Sequence, residues 1–392
     1  MNEADSMVRD QAYLAGAYAR FPVTIVSGKG AVCTDSEGKS YIDLTAGIGV
    51  NSLGFCDEEW TGAVIHQAGT LQHVSNLFYT LPCIDAAEKL CALTGAGKVF
   101  FGNSGAEANE GMIKAARKYS FDAYGPGRDA VVTLENSFHG RTVTTLAATG
   151  QERFHQFFGP FTEGFAYARA NDIDHTIKAL EQKSVCALMM ELVQGEGGVI
   201  PLDKGYVEAV AAYCRERDIL LLLDEVQTGV GRTGTFLSWQ QYGITPDLCS
   251  LAKGLAGGLP IGAVLLFGKT ENVFRPGDHG STFGGNPVCC AGANAVLERM
   301  IPAFLNEVKA KSAYAFERLA GMPHVAGVSG LGLMIGVSLE GPAAKDVVNA
   351  GIRHGLLTLT AKEKLRLLPP LTISMEELKK AMDILEQILS DR

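Results

Sequence analysis

Residues 219–225 read Ile219-Leu220-Leu221-Leu222-Leu223-Asp224-Glu225, an unbroken apolar run that ends in two acids. An apolar run of this length without alternation is typical of a strand that is covered on both faces in a mostly parallel sheet. A carboxylate directly after such a run risks burial, which is costly unless a cationic or hydrogen-bonding group lies beside it. Asp224 is therefore the first candidate for a functional side chain.

Four more apolar runs also end in polar, charged or glycine-rich residues, and helix-like stretches separate them between about residues 85 and 270. This alternation predicts an α/β fold in which helices cover both faces of a mostly parallel sheet. Loops are usually polar, so one such strand end would carry little information, but five in succession predict one shared site beyond the carboxyl ends of the strands. The other runs are Val99-Phe100-Phe101 before Gly102-Asn103-Ser104-Gly105, Val131-Val132-Thr133-Leu134 before residues 135–141, Ala187-Leu188-Met189-Met190 before Glu191, and residues 248–252 before Lys253-Gly254.

The two ends of the sequence have a different pattern. A strand is predicted over Leu331–Leu339, a helix over Ala344–His354 and an amphipathic helix over Met375–Leu389. Near the other end, two short apolar segments flank the turn-forming residues Asp35-Ser36-Glu37-Gly38, which predicts a hairpin. These elements favour a smaller α+β domain with which the N-terminal hairpin packs.

The length of 392 residues corresponds to two or three domains at about 150 residues each. We predict an N-terminal segment, 1–45, that packs with the smaller domain, a large sheet domain over 46–285 and the smaller domain over 286–392. Hydrophobic residues make up 47% of the chain and charged residues 20%, which excludes a wholly disordered chain. The 46 glycines exceed the typical share of about 7%, which favours tight turns and close backbone approaches to a ligand.

Charge and apolar patterning argue against nucleic-acid and membrane functions. The net charge is −9 and the chain has no run of Lys or Arg, so nucleic-acid binding is not expected. No apolar run approaches the roughly 18 residues of a membrane helix, and residues 1–5 lack a signal-peptide pattern, so a cytoplasmic protein is expected. The nine Cys form no CxxC pair and the eight His are dispersed, so no metal site is expected.

The segment Asn103-Ser104-Gly105-Ala106-Glu107 follows a predicted strand and opens a predicted helix. Ser104 suits the N-cap position, and Glu107 three residues later completes a capping box. A glycine-containing turn at a helix N-terminus exposes backbone N–H groups at the positive end of the helix, which makes a natural phosphate site. These residues alone fit a simple helix cap equally well.

Gly229-Val230-Gly231-Arg232-Thr233-Gly234 matches the G-x-G-x-x-G pattern of dinucleotide-binding sites. That pattern binds a pyrophosphate only where it follows a strand directly and opens a helix. Here residues 224–228 intervene after the predicted strand, and residues 235–239 make no convincing first helical turn. A nicotinamide-dependent oxidoreductase is therefore a remote alternative.

Lys253 follows an apolar run and precedes the small residues Gly254-Leu255-Ala256-Gly257-Gly258. Such neighbours partly desolvate a lysine, which lowers its pKa and makes a neutral, nucleophilic amine available. A lone lysine after a strand is usually a surface residue, but here Asp224 and a candidate phosphate loop are expected at the same sheet edge. A lysine that can form a Schiff base, a carboxylate for the pyridinium nitrogen and an anion cradle are the parts that pyridoxal 5′-phosphate requires.

Six motifs that occur together in one protein family appear here in that family's order. They are Asn103-Ser104-Gly105-Ala106-Glu107-Ala108-Asn109-Glu110, Ser137-Phe138-His139-Gly140-Arg141-Thr142, Gln194-Gly195-Glu196-Gly197-Gly198, Leu223-Asp224-Glu225-Val226-Gln227-Thr228-Gly229, Ala252-Lys253-Gly254 and Gly280-Ser281-Thr282-Phe283-Gly284-Gly285-Asn286-Pro287. From about Arg20 to the C-terminus, the sequence resembles the class III pyridoxal-phosphate aminotransferases of fold type I. The resemblance implies a transaminase with a large, mostly parallel sheet domain and a smaller α+β domain.

The resemblance also implies roles for individual residues around the cofactor. Lys253 matches the lysine that binds the cofactor covalently and moves the proton, and Asp224 matches the carboxylate that keeps the pyridinium nitrogen protonated. Glu191 matches a carboxylate further from the cofactor. Thr282 matches a threonine that reaches the cofactor phosphate of the other subunit, which implies a homodimer with shared active sites. The other implied contacts are a ring sandwich by Val226 and Phe138, a hydrogen bond from Gln227 to the ring hydroxyl, and phosphate binding by Ser104, Gly105 and Ala106.

Arg141 and Arg366 match two arginines that bind substrate carboxylates, and Glu196 matches a gate carboxylate. A terminal-amine donor brings no carboxylate to the reacting carbon, so Glu196 has to neutralise Arg366 in that half-reaction. Glutamate does bring one, so Glu196 then has to move away. Planar pairing with carboxylates favours arginine at both positions. Ser281 is also expected among the substrate-binding residues.

Within the class, the sequence is most similar to the acetylornithine aminotransferases. The implied ping-pong reaction converts N2-acetylornithine and 2-oxoglutarate into N-acetylglutamate 5-semialdehyde and glutamate, a step of arginine biosynthesis. Ornithine-specific members have a Tyr close to the position of Ile48, and this departure favours an acylated ornithine. The similar segments are residues 20–23, 46–54, 75–79 and 148–151.

Other members of the class share the same cofactor residues, so these residues cannot discriminate between them. The alternatives are aminotransferases for ornithine, succinyldiaminopimelate or 4-aminobutyrate, and the glutamate semialdehyde aminomutase. A non-catalytic relative is a further alternative, against which the intact Lys253, Asp224, Arg141 and Arg366 argue. The residues expected to discriminate are Ile48, Asn76, Phe78, Tyr79 and Glu196.

Overall fold

A computed structural model of the chain describes residues 3–391. Its helices are α1 (Glu3–Tyr13), α2 (Ala46–Gly49), α3 (Glu58–Thr70), α4 (Leu81–Thr94), α5 (Gly105–Tyr124), α6 (Val143–Ala148), α7 (Ile173–Leu180), α8 (Lys204–Glu216), α9 (Pro287–Arg299), α10 (Pro302–Ala320), α11 (Ala344–His354) and α12 (Met375–Ser390). Its strands are β1 (Ile25–Lys29), β2 (Val32–Asp35), β3 (Ser40–Asp43), β4 (Lys98–Gly102), β5 (Ala130–Leu134), β6 (Phe165–Ala168), β7 (Val185–Met190), β8 (Val193–Gln194), β9 (Ile200–Pro201), β10 (Leu220–Asp224), β11 (Leu248–Leu251), β12 (Gly262–Leu266), β13 (Val325–Leu331), β14 (Met334–Leu339), β15 (Leu356–Leu357), β16 (Leu359–Ala361) and β17 (Lys364–Leu367). Short 3-10 helices span Glu152–Phe154, Ser238–Gln241, Lys253–Ala256 and Gly268–Thr270.

Seven strands form the central sheet in the order β4-β12-β11-β10-β7-β5-β6. β12 is antiparallel to both of its neighbours, and the other six strands run in one direction. The five strands that the apolar runs predict, β4, β5, β7, β10 and β11, therefore end at the same edge of the sheet. The predicted α/β fold with a large, mostly parallel sheet is confirmed.

β10 lies in the middle of this sheet, and all five of its residues are buried. Leu222 pairs with Met189 of β7 on one side and with Leu248 of β11 on the other. Burial of one leucine side chain contributes about 1.5–3 kcal/mol to folding, so the apolar run stabilises the centre of the sheet. The same run brings Asp224 to the carboxyl edge.

Two four-stranded sheets lie outside the central one. The sheet β13-β14-β17-β16 is antiparallel throughout. The predicted N-terminal hairpin is present as β2 and β3. β3 also pairs in parallel with β15, through Ile42 and Leu356. The N-terminal hairpin therefore shares a sheet with a strand of the C-terminal part.

One strand prediction is wrong. The stretch Leu331–Leu339 is not one strand but the end of β13 and all of β14, which pair antiparallel through Leu331 and Met334. Gly332 makes the turn with a φ of +59°, and a Cβ there would lie 2.5 Å from the carbonyl oxygen of Arg232. Glycine tolerates both this conformation and this close approach, so the chain can reverse here. The two predicted C-terminal helices are present as α11 and α12.

The G-x-G-x-x-G match, Gly229–Gly234, lies in a series of turns, and in the described chain no α-helix follows it before α9. The buried side chain of Arg232 donates hydrogen bonds from Nη1 to the carbonyl oxygens of Leu333 and Pro369, at 3.1 and 2.6 Å. The segment therefore joins the central sheet to the β13–β14 turn and to the chain after β17. It offers no helix N-terminus to a dinucleotide.

The predicted domain boundaries, after residues 45 and 285, stay a prediction, and residues 1, 2 and 392 lie outside the described residues. α9, just after the second boundary, packs against α3 and α4, whereas α10 contacts β13 and α12. Within residues 3–391 no single helix is long and apolar enough to cross a membrane. α9 and α10, which are bent by 76°, pass that test only as a pair and only by length and composition.

Candidate active site

A cavity of about 420 Å³ opens beyond the carboxyl ends of β4, β5, β7, β10 and β11. The predicted convergence of five strand ends on one crevice is confirmed. Two predicted site residues, Glu196 and Arg366, pair with each other at one side of this cavity, next to Gln227. The predicted site residues that line the cavity are Ser104, Gly105, Ala106, Phe138, Arg141, Asp224, Val226, Gln227 and Lys253.

Asp224, the last residue of β10, is only 4% exposed. Its Oδ2 accepts a hydrogen bond from Nδ2 of Asn109 at 2.7 Å and lies 2.8 Å from Nδ1 of His139. Its Oδ1 accepts from the backbone N–H of Val226 at 3.0 Å and from the hydroxyl of Ser250 at 3.4 Å. These partners stabilise the negative charge of a buried carboxylate. Asp224 can therefore present a fixed anion to a cation bound in the cavity.

Sequence reasoning assigns no role to Asn109 or His139, although both are buried polar side chains that line the cavity. Asn109 interrupts the apolar face of α5 one turn after its start, and His139 follows β5 by five residues. A polar residue at such a position is the signal that could identify them. Within residues 3–391, Nε2 of His139 and Oδ1 of Asn109 are buried and have no hydrogen-bond partner.

Glu191 directly follows β7 and accepts hydrogen bonds from the backbone N–H groups of Phe138 at 2.9 Å and Gly195 at 3.2 Å. Burial raises the pKa of its carboxyl group to about 7, an effect that His139 opposes and the carboxylate of Asp224 reinforces. Burial and a nearby like charge both disfavour the ionised form. Glu191 therefore positions Phe138 while carrying less negative charge at neutral pH than an exposed glutamate.

Lys253 begins a short 3-10 helix just after β11, and its backbone has a φ of +41°. This conformation is costly for a residue with a side chain and persists where surrounding contacts hold it. One such contact is the buried hydroxyl of Ser52, which donates to the carbonyl oxygen of Gly254 at 2.8 Å. Burial lowers the pKa of the Lys253 ammonium group; Glu196 opposes this effect and Arg366 adds to it. The lowered pKa favours the neutral, nucleophilic amine.

Ser104 caps α5 as predicted, because its hydroxyl accepts a hydrogen bond from the N–H of Glu107 at 3.2 Å. The predicted capping box is wrong. The carboxylate of Glu107 accepts from the backbone N–H of Asn103 at 2.6 Å and from the side-chain amide of the same residue at 3.1 Å. Glu107 therefore fixes the loop that leads into α5, one residue before the N-cap.

Gly105 and Ala106 line the cavity in the first turn of α5. N–H groups in a first helical turn have no acceptor within the helix and lie at the positive end of its dipole. A Cβ at Gly105 would lie 2.7 Å from Cγ1 of Val226, so glycine allows this close approach. These features fit the binding of an anion such as a phosphate group.

The residues present can be tested against the shape and chemistry of pyridoxal 5′-phosphate. Buried Asp224 can pair with a protonated ring nitrogen, and the first turn of α5 can bind the phosphate. Lys253 lines the same cavity with a lowered pKa. Phe138 and Val226 supply one aromatic and one aliphatic side chain for the faces of a ring. The donor set therefore fits this cofactor.

Arg366 of β17 is buried, and its Nη1 forms an ion pair with Oε1 of Glu196. The same Nη1 donates to Oε1 of Gln227 at 3.4 Å. Burial by itself would raise the pKa of Glu196, but the guanidinium of Arg366 outweighs burial and the pKa is lowered. The side chain of Glu196 is 28% exposed, against 4% for Arg366. The carboxylate therefore has room to leave the pair while the guanidinium stays.

Arg141 lies at the exposed side of the cavity. Its Cζ is 4.1 Å from the ring centroid of Phe154 and 5.5 Å from that of Phe138. Among the described residues no carboxylate forms an ion pair with it. Its positive charge is therefore available to a carboxylate from outside the protein.

Ser281 and Thr282 belong to the loop before α9 and do not line the cavity. The hydroxyl of Ser281 accepts a hydrogen bond from Nδ2 of Asn103 at 3.0 Å, which ties this loop to the start of α5. Thr282 is exposed. The structure of one chain therefore does not bring Ser281 or Thr282 to its own cavity.

The residues expected to discriminate between substrates do not come together in one chain. Glu196 pairs with Arg366 next to Gln227, which lines the first cavity, but Asn76, Phe78 and Tyr79 line a second cavity of about 320 Å³, which they share with residues 284–287. Ile48 is 43% exposed and has a φ of +65°. In the single described chain, residues 73–80 lie against the loop before α9, and the role of these five residues in discriminating between substrates stays a prediction.

Comparisons with known proteins give one family. The family model "Aminotransferase class-III" matches residues 13–389. The acetylornithine aminotransferase of Haemophilus ducreyi is 53% identical over 383 residues, which cover 97% of this chain and 98% of that protein. The ornithine aminotransferase structure from Toxoplasma gondii has a TM-score of 0.95 at 32% identity and covers 100% of this chain and 96% of that one. The N-acetylornithine aminotransferase structure from Stenotrophomonas maltophilia has a TM-score of 0.85 at 33% identity and covers 98% of each chain.

These matches extend over nearly the whole chain, and they agree with the cavity, in which a lysine, a buried carboxylate and a helix N-terminus meet. The predictions of fold type I and of pyridoxal phosphate as the cofactor are confirmed. The chain belongs to the class III aminotransferase family and is a pyridoxal-phosphate-dependent aminotransferase.

Proposed function

We propose that this enzyme transfers the δ-amine of N2-acetylornithine to 2-oxoglutarate, which gives N-acetylglutamate 5-semialdehyde and glutamate, a step of arginine biosynthesis. Relatives with the name acetylornithine aminotransferase support this substrate pair, among them the Haemophilus ducreyi protein at 53% identity. The observation in the structure that carries the proposal is the ion pair between Arg366 and Glu196 beside Lys253.

The ion pair matters because the two half-reactions differ at the reacting carbon. The δ-carbon of acetylornithine carries no carboxylate, so the positive charge of Arg366 is best neutralised by Glu196 during that step. The reacting carbon of glutamate does carry one, and this carboxylate can form a bidentate pair with Arg366 once Glu196 has moved into the solvent. Arg141 binds the carboxylate that both substrates carry further from the reacting carbon.

When bound, pyridoxal phosphate supplies an electron sink and carries the amine between the two half-reactions. Asp224, held by Asn109 and His139, would stabilise a positive charge on the ring nitrogen. The Nζ of Lys253 would hold the cofactor and would take the proton from the substrate carbon that bears the amine. The first turn of α5 would hold the phosphate, and Phe138 and Val226 would orient the ring.

The substrate is tested by absorbance spectra of the purified enzyme with bound pyridoxal phosphate. N-acetylornithine is added without a keto acid, with ornithine and 4-aminobutyrate in parallel. We expect N-acetylornithine to deplete the yellow absorbance of the bound cofactor at the lowest concentration, and 2-oxoglutarate to restore it. Depletion by another donor at lower concentration would contradict the proposed donor and would retain the transaminase chemistry.

We further propose that the enzyme is a homodimer in which Thr282 of one subunit contacts the cofactor phosphate in the other. The loop of Thr282 borders an apolar surface, since Phe283 is 61% exposed and Phe78 and Tyr79 are 69% and 96% exposed. The ring of Phe283 also contacts His73 of the neighbouring segment, with centroids 5.4 Å apart. A contiguous exposed apolar surface of this kind is typical of a protein interface.

Mixed dimers test the shared site. Lys253→Ala removes the lysine from its own subunit's site, and Thr282→Arg blocks the phosphate position in the partner's site, so each variant alone is expected to lose activity. In a co-expressed mixture, half of the dimers are hybrids with one intact site each, which predicts about a quarter of wild-type activity. Activity no higher than the mean of the two separate variants would contradict the shared site.

A further inference from the structure

The protein holds its two candidate substrate-binding arginines in different ways. Arg366 is buried and paired with the carboxylate of Glu196. Arg141 is exposed, and in the part of the chain from residue 3 to residue 391 it has no carboxylate partner. Its guanidinium lies instead over two aromatic rings, 4.1 Å from the centroid of Phe154 and 5.5 Å from that of Phe138.

An arginine that stacks on aromatic rings keeps its hydrogen-bond donors available, whereas an arginine that pairs with a carboxylate does not. The face of an aromatic ring attracts a guanidinium through its quadrupole and leaves the in-plane N–H donors free. A carboxylate partner would occupy those donors, and each incoming substrate would have to displace it. Both proposed substrates carry a carboxylate remote from the reacting carbon, so the arginine that binds it has a carboxylate ligand whenever either substrate is bound. Such an arginine needs to be held in place but does not need to be neutralised.

Phe154 is itself held from two sides. The buried side chain of Gln151 donates from Nε2 to the carbonyl oxygen of Ser137 at 3.0 Å, which ties the segment to the loop of Phe138. On the other side, Nε2 of His155 lies 2.8 Å from a backbone carbonyl oxygen of α6. The rings of Phe154 and Phe138 meet edge to face, with centroids 5.9 Å apart. The ring under Arg141 is therefore part of a connected, well-anchored structure.

We propose that Phe154 is a specificity-determining positioning residue, which acts through Arg141. Its ring holds the guanidinium at the mouth of the cavity with its donors free, and so selects substrates with a carboxylate remote from the reacting carbon. The proposal rests on the proposed function, because it names the residue that aims Arg141 at that carboxylate. Phe154 does not line the cavity, so it does not touch the reacting atoms.

The test compares Phe154→Leu, which removes the aromatic face and keeps an apolar side chain, with wild type. Loss of the cation–π contact with the exposed guanidinium of Arg141 is expected to raise KM for N-acetylornithine and for 2-oxoglutarate by roughly two- to fivefold. kcat is expected to change by less than about twofold, because the effect is on binding. Phe154→Tyr keeps the ring face and is expected to restore the wild-type KM values. Phe157→Leu is the matched control, since Phe157 is 81% exposed and packs against Phe158 rather than against an arginine.

A donor without any carboxylate separates positioning from a general structural effect. At a fixed concentration, 1-aminobutane is expected to deplete the yellow absorbance of the bound cofactor with the same rate constant in Phe154→Leu and in wild type. The proposal would be overturned if Phe154→Leu had unchanged KM values for the carboxylate substrates. It would also be overturned if the substitution slowed the reaction with 1-aminobutane as much as the reaction with N-acetylornithine. If Phe154→Leu fails to fold, wild-type KM values in Phe154→Trp and raised values in Phe154→Met provide the same comparison.

The failure of the proposed function would be distinguishable from the failure of this inference. If wild type did not react with N-acetylornithine, the proposed donor would be wrong. The role of Phe154 would then be measured with glutamate and 2-oxoglutarate, whose second carboxylate is also remote from the reacting carbon. Equal KM values in wild type and Phe154→Leu for this pair would overturn the inference by itself.

Discussion

Replacing Lys253 with alanine is expected to lower kcat by a factor on the order of 10⁴ or more, while the protein still binds pyridoxal phosphate. The variant loses both the covalent attachment and the proton acceptor at Nζ, and no other described lysine lines the cavity. Asp224 and the first turn of α5 remain, so the ring nitrogen and the phosphate keep their partners. Binding is measured from the absorbance of the cofactor after gel filtration, and kcat from glutamate formation.

Lys98→Ala is a matched control for this substitution. Lys98 is an exposed lysine of the central sheet that hydrogen-bonds Asn272, and it lies at the start of β4, at the opposite edge from the cavity. Its loss is expected to leave kcat within about twofold, as is usual for a surface substitution. Wild-type turnover by Lys253→Ala would contradict the role of Lys253 in cofactor attachment and proton transfer, and with it the proposed mechanism.

Replacing Asp224 with asparagine is expected to lower kcat by roughly 10²–10³ or more, the usual effect of removing a preorganised charge from a site. The amide keeps the size of the side chain but cannot stabilise a positive charge on the ring nitrogen. Hydrogen-bond donors that now serve the carboxylate, those of Asn109 and Val226, would face an uncharged group. We also expect a shifted absorbance maximum of the bound cofactor, because this maximum depends on the charge of the ring nitrogen.

Asp247→Asn separates loss of this charge from general damage to the sheet. Asp247 lies just before β11, at the opposite edge of the sheet from Asp224, where its Oδ2 accepts from the backbone N–H of Leu221 at 2.8 Å. This variant is expected to lower the thermal midpoint and to leave kcat nearly unchanged. An Asp224→Asn enzyme with wild-type kcat and an unshifted spectrum would contradict the role of Asp224.

Much of the fold was predictable because a buried strand can be identified from a short run of consecutive apolar residues. A run such as residues 219–223 is apolar at every position, and an element of that kind is stable only with neighbours on both faces. The same runs identified the sheet edge at which the site lies. The stretch Leu331–Leu339 was mistaken for one strand because the close approach of Gly332 to Arg232, which explains the turn, joins residues about one hundred positions apart.

The residue types of the site were also predictable, whereas their partners were not. Asp224 lies 85 residues from His139, and Arg366 lies 170 residues from Glu196. The resemblance to the family implied the pairing of Arg366 with Glu196, but neither the resemblance nor the residues implied the contact of Asp224 with His139. The exposure of Phe78 and Tyr79 could not be predicted for a related reason, since it depends on how residues 73–80 lie against the loop before α9.

The sequence by itself determined the parallel sheet, the edge at which its polar residues meet, and the chemical types available there: a lysine, two carboxylates that follow buried strands, an arginine and a helix N-terminus. Only the tertiary structure decided which charges are paired and which are free. Arg366 is neutralised by a carboxylate, and Arg141 is held by aromatic rings. The physical reason is that burial and electrostatic interaction depend on distances across the folded chain. Those distances cannot be predicted from the separation of residues along the sequence.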